Sequence, residues 1–89
     1  MRFTWDPRKA ASNFRKHGVT FEEAATAFGD PLALFIQDGA HEDRMLIVGL
    51  TSQRRLMVVV HEEASDEEIR IISTRRPTPH ERRRCEEGT

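Results

Sequence analysis

The chain has no tyrosine, a single tryptophan and a single cysteine. So few flat aromatic side chains leave no platform of the RRM type on which RNA bases stack. The lone Cys85 excludes an internal disulfide framework and a cysteine-rich zinc site. No apolar run approaches the roughly 20 residues that a membrane-spanning helix needs. The opening Met1 to Asp6 has no apolar stretch of the signal-peptide kind. A cytoplasmic protein with no membrane partner is therefore expected. There is no glycine-rich phosphate loop and no serine-nucleophile motif. The histidines, His17, His41, His61 and His80, include no i, i+4 pair, so neither a metal nor a cofactor is expected.

What is present is charge, and it is segregated. The 89 residues carry a net charge of only −1. Residues 1–18 nevertheless sum to +4, 44–61 to +3 and 69–85 to +5, while 19–43 sum to −6 and 62–68 to −5. A fold that gathers the basic blocks would have one basic and one acidic face; block by block, the same pattern also suits an ordinary solvated surface. A length of 89 residues predicts one domain, 1–89, with a small core.

Local signals place the elements. Asp6-Pro7 starts a helix that stops at Gly18. Thr20-Phe21-Glu22-Glu23 is a capping box, with Val19 and Ala24 spaced as a hydrophobic staple. Phe21, Ala24, Ala25 and Phe28 give that second helix an apolar face, and Asp30-Pro31 ends it. Strands are predicted over 32–36, 44–50, 55–61 and 69–73, joined by a hairpin at 51–54 and an acidic turn at 62–68. Thr78-Pro79-His80-Glu81 starts a last helix that runs to about Gly88. The predicted fold is α+β: two N-terminal helices, a four-stranded antiparallel sheet and a C-terminal helix.

Three groups could carry chemistry. Lys16-His17 closes the first helix; histidine suits proton transfer near neutral pH, and a cationic pair equally suits a helix C-terminus. His61-Glu62 ends the third predicted strand, as an acid or base at the sheet rim or as an ordinary polar strand end. Arg44, Arg70, Arg75 and Arg76 lie near strand ends that a meander can bring together. Arginine binds phosphate in bidentate fashion and stabilises charge that builds on it, but any of these could instead pair with Asp43, Glu62 or Glu63. Strict strand alternation would put Arg70 and Arg76 on one face and Arg75 on the other. Arg82, Arg83 and Arg84 follow on the last helix, about 100° apart, so they only partly face one ligand.

A family resemblance enters with these residues. Phe3-Thr4-Trp5-Asp6, Lys9, Asn13, Lys16-His17-Gly18-Val19, Phe21-Glu22-Glu23-Ala24 and Phe28-Gly29-Asp30-Pro31 resemble the opening of BrnT-type toxins. Arg44, Val58-Val59-Val60-His61, Arg70 to Arg75, Glu81-Arg82-Arg83 and Glu86-Glu87 continue it over nearly the whole chain. Cys85 departs from it, standing where an aromatic residue is expected. The resemblance implies a RelE-like fold and a ribonuclease toxin of a type II toxin–antitoxin pair. It also implies a BrnA-type antitoxin that neutralises the toxin, and a complex of the two that binds operator DNA and represses their operon.

The resulting expectation is a metal-independent endoribonuclease in which an RNA 2′-hydroxyl attacks the adjacent phosphate. His17 or His61 would transfer protons, with Lys16 or Glu62 assisting. Arg44, Arg70 and Arg75 would hold the phosphate, and Lys16, Arg76, Arg82 and Arg83 would bind RNA. The basic blocks alone also fit a non-catalytic nucleic-acid-binding or partner-binding module. The acidic segments 22–43 and 62–68 fit an adaptor for a basic partner.

Overall fold

Asp6 opens the first helix, α1 (Pro7–His17), by accepting the Arg8 N–H at 2.8 Å, and Pro7 occupies its first turn. Gly18 closes it in the left-handed conformation at φ +71°, donating its N–H to the Phe14 carbonyl at 2.8 Å. The chain is seen here as a computed structural model that describes residues 1–39 and 43–87. His41 and the predicted helix end at Gly88 lie outside the described residues.

Thr20 caps α2 (Phe21–Ala25) through the Glu23 N–H at 3.0 Å. The helix is shorter than its apolar pattern predicts. It tightens into a 3-10 turn over Thr26–Gly29, where the Thr26 hydroxyl donates back to the Glu23 carbonyl and accepts the Ser52 N–H at 2.8 Å. The reciprocal arm of this capping box is redirected: the Glu23 carboxylate binds Arg55 and the Thr51 hydroxyl.

The sheet has five strands and is mixed, which corrects the expected four-stranded antiparallel sheet. The strands are β1 (Arg2–Thr4), β2 (Leu34–Gln37), β3 (Met45–Leu50), β4 (Leu56–Ser65) and β5 (Glu68–Arg75), in spatial order β1-β5-β4-β3-β2. The added strand, β1, runs parallel to β5, with Phe3 beside Ile69 and Thr4 beside Arg70. Three residues are too few to show a period of two, so its pairing partner 66 positions away had no local signal. Arg2 and Thr4 both bind the Glu68 carboxylate, which ties this edge strand down.

The predicted acidic turn is mostly strand. β4 continues through His61 to Ser65, because Glu62 and Glu63 have ladder partners in Arg70 and Ile69. A carboxylate opposite an arginine is a favourable cross-strand pair, so the strand persists where composition suggested a loop.

The helices α1 and α2 pack on one sheet face over Phe21, Ala24, Ala27, Ile47, Val59 and Ile71, with Phe3, Trp5 and Phe28 at the margin. Gly49 fits there for want of space: a Cβ would meet the Ala27 carbonyl at 3.0 Å and the Ala33 Cβ at 3.1 Å. Beyond the end of β1, the free edge of β5 is covered by α1, whose Asn13 Oδ1 accepts the Thr74 N–H at 3.1 Å. The last helix, α3 (Pro79–Glu87), crosses the opposite face at one end of β3, where Cys85 Sγ meets the Val48 carbonyl at 3.6 Å. Among the described residues, no helix is long and apolar enough to cross a membrane.

Candidate functional site

Strand alternation and a bulge decide which arginines share a face. In β5, Arg75 lies opposite Val58 and Ser73 opposite Val60, but Ile71 lies opposite His61 and Arg70 opposite Glu62. Ile72 is the extra residue. This β-bulge resets the alternation, so Arg70 and Arg75 share the α3 face with Val58, Val60 and Glu62. The expectation that they would point to opposite faces is corrected. Ile69, Ile71 and Thr74 accordingly turn inward and are buried.

The same register separates the arginines into two groups. In an antiparallel ladder the start of β5 meets the far end of β4, and the end of β5 meets its start. Arg44 precedes β3 beside Glu62, with its Nε 3.6 Å from Glu62 Oε1, and Arg70 is the partner of Glu62 on the other side. Arg44, Glu62 and Arg70 therefore form one row across three adjacent strands. Around the row the α3 face is only half-buried at Leu46, Val60, Ile72 and Ser73, because α3 covers the other end, where Val48 and Val58 are fully buried.

Arg75 and Arg76 do not join this row. They lie five and six residues further along the chain from Arg70, roughly 17–20 Å at strand rise. Arg75 is already committed: its two terminal nitrogens grip Glu81 of α3 at 2.8 and 2.9 Å. Glu81 also accepts the Thr78 N–H at 2.8 Å, while its own N–H goes to the Thr78 hydroxyl at 3.1 Å, so the predicted capping box is complete. The Arg75 guanidinium, helped by these hydrogen bonds, holds the Glu81 carboxyl down at about 2. Arg75 thus anchors a helix and presents no free fork to a phosphate.

His61 is not at a strand end. It sits inside β4 with 1% of its surface exposed, its ring against Phe28 at 4.8 Å and Phe35 at 6.3 Å, and Nδ1 3.1 Å from the Val59 carbonyl. It faces the α1–α2 side, away from Arg44 and Arg70, because β4 alternates without interruption from Met57 to Glu62. Burial pushes its pKa below the usual histidine value. The placement at an exposed rim is corrected: β4 runs four residues beyond His61 to Ser65.

His17 and Lys16 are exposed in the last turn of α1, at the end of the sheet where β4 begins. Gly18, the next residue, accepts Arg55 Nη2 at 3.3 Å. Arg76 and Arg82 are exposed at that same end, on the segment after β5 and on α3, and Arg83 is exposed beside Arg82 in the chain. The group also holds Arg54 and Arg55, which the sequence reading passed over. Their signal is conditional on the strand order: once β3, β4 and β5 form a meander, the β3–β4 hairpin falls at the end where β5 finishes.

A family model described as the ribonuclease toxin BrnT of type II toxin–antitoxin systems matches residues 5–81. Among solved structures, the chain resembles the Brucella abortus ribonuclease toxin BrnT, at a TM-score of 0.71 and 24% identity, over 88% of this chain and 97% of that one. That likeness establishes the α+β fold with its five-stranded mixed sheet. No curated protein matches the chain. The family match spans most of the sequence, so the chain belongs to the BrnT family, the ribonuclease toxins of type II toxin–antitoxin systems.

Proposed function

We propose that RNA is cut at the open half of the α3 face without a metal ion, with Glu62, Arg44 and Arg70 carrying the chemistry. The observation that supports this is their row: a carboxylate flanked by two guanidinium groups on a half-buried sheet surface. The Glu62 carboxylate takes the proton of the 2′-hydroxyl, and the 2′-oxygen attacks the neighbouring phosphorus. Arg44 and Arg70 stabilise the charge that builds on the phosphate oxygens. The bond to the 5′-oxygen breaks, that oxygen takes a proton from water, and the hydroxide left takes back the proton held by Glu62. The products are a 2′,3′-cyclic phosphate and a 5′-hydroxyl end.

Glu62 replaces His61 as proton acceptor in this reading, because His61 is enclosed and faces the other side. Lys16, His17, Arg76, Arg82 and Arg83 bind the RNA strand at the opposite end of the sheet, and Arg75 positions α3 through Glu81. The test is cleavage of a defined RNA in EDTA with the product ends mapped, beside the matching DNA. Cyclic phosphate ends and intact DNA are expected. Complete loss of cleavage in EDTA would sink the metal-free route.

On the same reading, residues 1–89 act as one cytoplasmic toxin domain of RelE-like type. A BrnA-type antitoxin covers the basic surface, and the complex binds operator DNA. Expression with and without the neighbouring gene tests this: growth arrest that the neighbour reverses supports the pair, and arrest that it leaves unchanged removes it.

A further inference from the structure

Two clefts open at the end of the sheet where β4 begins. The larger, about 560 Å³, is lined by Glu22 and Glu23 as well as Arg55, and the Glu23–Arg55 ion pair crosses it. Carboxylates in the wall make it a poor host for an anion. The second, about 370 Å³, is lined by Arg54, Arg55, Arg76 and Arg82 together with Leu50, Leu56, Met57 and Pro77. Its lining holds four arginines and no acidic residue.

These cations are not neutralised in equal measure. Arg55 is held by Glu23, and Arg82 has only a 3.9 Å contact with Glu86 one helical turn away. Arg54 and Arg76 have no salt bridge among the described residues. Arg54 is also the one non-glycine residue among them with positive φ, at 61°. That conformation is uncommon for an arginine and is fixed from outside the turn. The Arg54 N–H bonds the Thr51 carbonyl at 2.9 Å, the Thr51 hydroxyl donates to Glu23 at 2.7 Å, and the Ser52 N–H donates to Thr26 at 2.8 Å. The hairpin is thus tied to α2, with Arg54 exposed in the lining of the cleft.

We infer that this cleft is a second phosphate subsite, which grips the RNA backbone a few nucleotides from the scissile bond. It rests on the RNA-cleavage reading above and adds to it a specific anchor. The chemistry is that of the phosphodiester: several fork-shaped donors, a concave wall and an apolar floor of Leu50 and Leu56 on which a sugar can rest. Roughly 17–20 Å of strand separates this end from the Arg70 row, so one RNA strand spans both and is held against sliding during attack.

The test uses Arg54→Gly, which deletes the guanidinium at a position whose backbone glycine adopts without strain. The probe is a short 2′-O-methyl RNA, which offers no free 2′-hydroxyl and stays intact, titrated by fluorescence anisotropy over a salt series. Arg54→Gly should weaken binding at least five-fold and lower the slope of log affinity against log salt by about 0.7, the value for one phosphate contact on a single strand. Arg54→Lys should restore most of that slope. Unchanged affinity and slope in Arg54→Gly overturn the inference. So does a variant that binds the RNA as the parent does but no longer holds the antitoxin, which would give the cleft to the protein partner. Because the readout is binding of an uncut RNA, failure of the metal-free mechanism leaves this result standing.

Discussion

On the α1–α2 face of the sheet, Phe21, Ala24, Ala27, Ile47, Val59 and Ile71 close into a cluster with at most 1% exposure. On the opposite face, α3 has no buried residue and is fastened by the Arg75–Glu81 fork, the Thr78 cap and the contact of Cys85 with β3. One face is held by a broad apolar cluster; the other buries Val48 and Val58 under α3 and adds directional polar bonds at that end. The difference separates stability from function. Apolar burial fills the centre of the first face. On the second face the surface around Leu46, Val60 and Ser73 is only partly buried, and the row of Arg44, Glu62 and Arg70 lies there.

If that division is right, variants on the two faces should fail in different assays. The largest effect is expected from Glu62→Gln, which removes the proton acceptor and preserves shape. Its cleavage rate should fall about 10²–10⁴-fold with thermal stability nearly unchanged; a rate within a few-fold of the parent would take Glu62 out of the chemistry. Phe21→Ala should do the reverse. Emptying that fully buried site costs about 3–5 kcal/mol, much of the stability of a domain this size, and urea denaturation should show it.

Arg75→Ala tests the boundary between the faces. Its pair with Glu81 is partly exposed, so the loss should be about 1–2 kcal/mol, between a surface and a buried ion pair. Cleavage should weaken only as far as α3 loosens, whereas Arg70→Ala should cut cleavage directly and leave the melting temperature alone. The pair also carries a pH signature. The Glu81 carboxyl is held at about 2, below its ordinary value, so its stabilisation is present above about pH 4.5 and lost as pH falls towards 2. Acid titration should show a loss in that window in the parent and a smaller one in Arg75→Ala. The smallest effect is expected from Thr20→Ala, which removes the cap of α2 and should cost about 1 kcal/mol by denaturation.

How much of the site was legible followed the same split. The sequence exposed Arg44, Arg70 and Glu62 as chemically suitable types, and the family resemblance pointed to RNA. It misplaced His61, because strand length past that residue depends on Glu62 and Glu63 finding partners in β5. It overlooked Arg54, because a basic residue in a hairpin looks like any solvated loop position until the neighbouring chain ends are known.

The sequence by itself determined the elements with local causes: the helix starts at Asp6-Pro7, Thr20 and Thr78-Pro79, the stop at Gly18, and the apolar cores of β3 and β4. Those depend on hydrogen bonds and periodicities within a few residues. The tertiary structure alone decided the parallel pairing of β1 with β5, the bulge at Ile72 that turned Arg70 and Arg75 to one face, the enclosure of His61 and the gathering of four arginines around a cleft. Each of these joins residues distant along the chain. A strand shifted by one residue exchanges its two faces, so only the assembled register fixes which side chains meet.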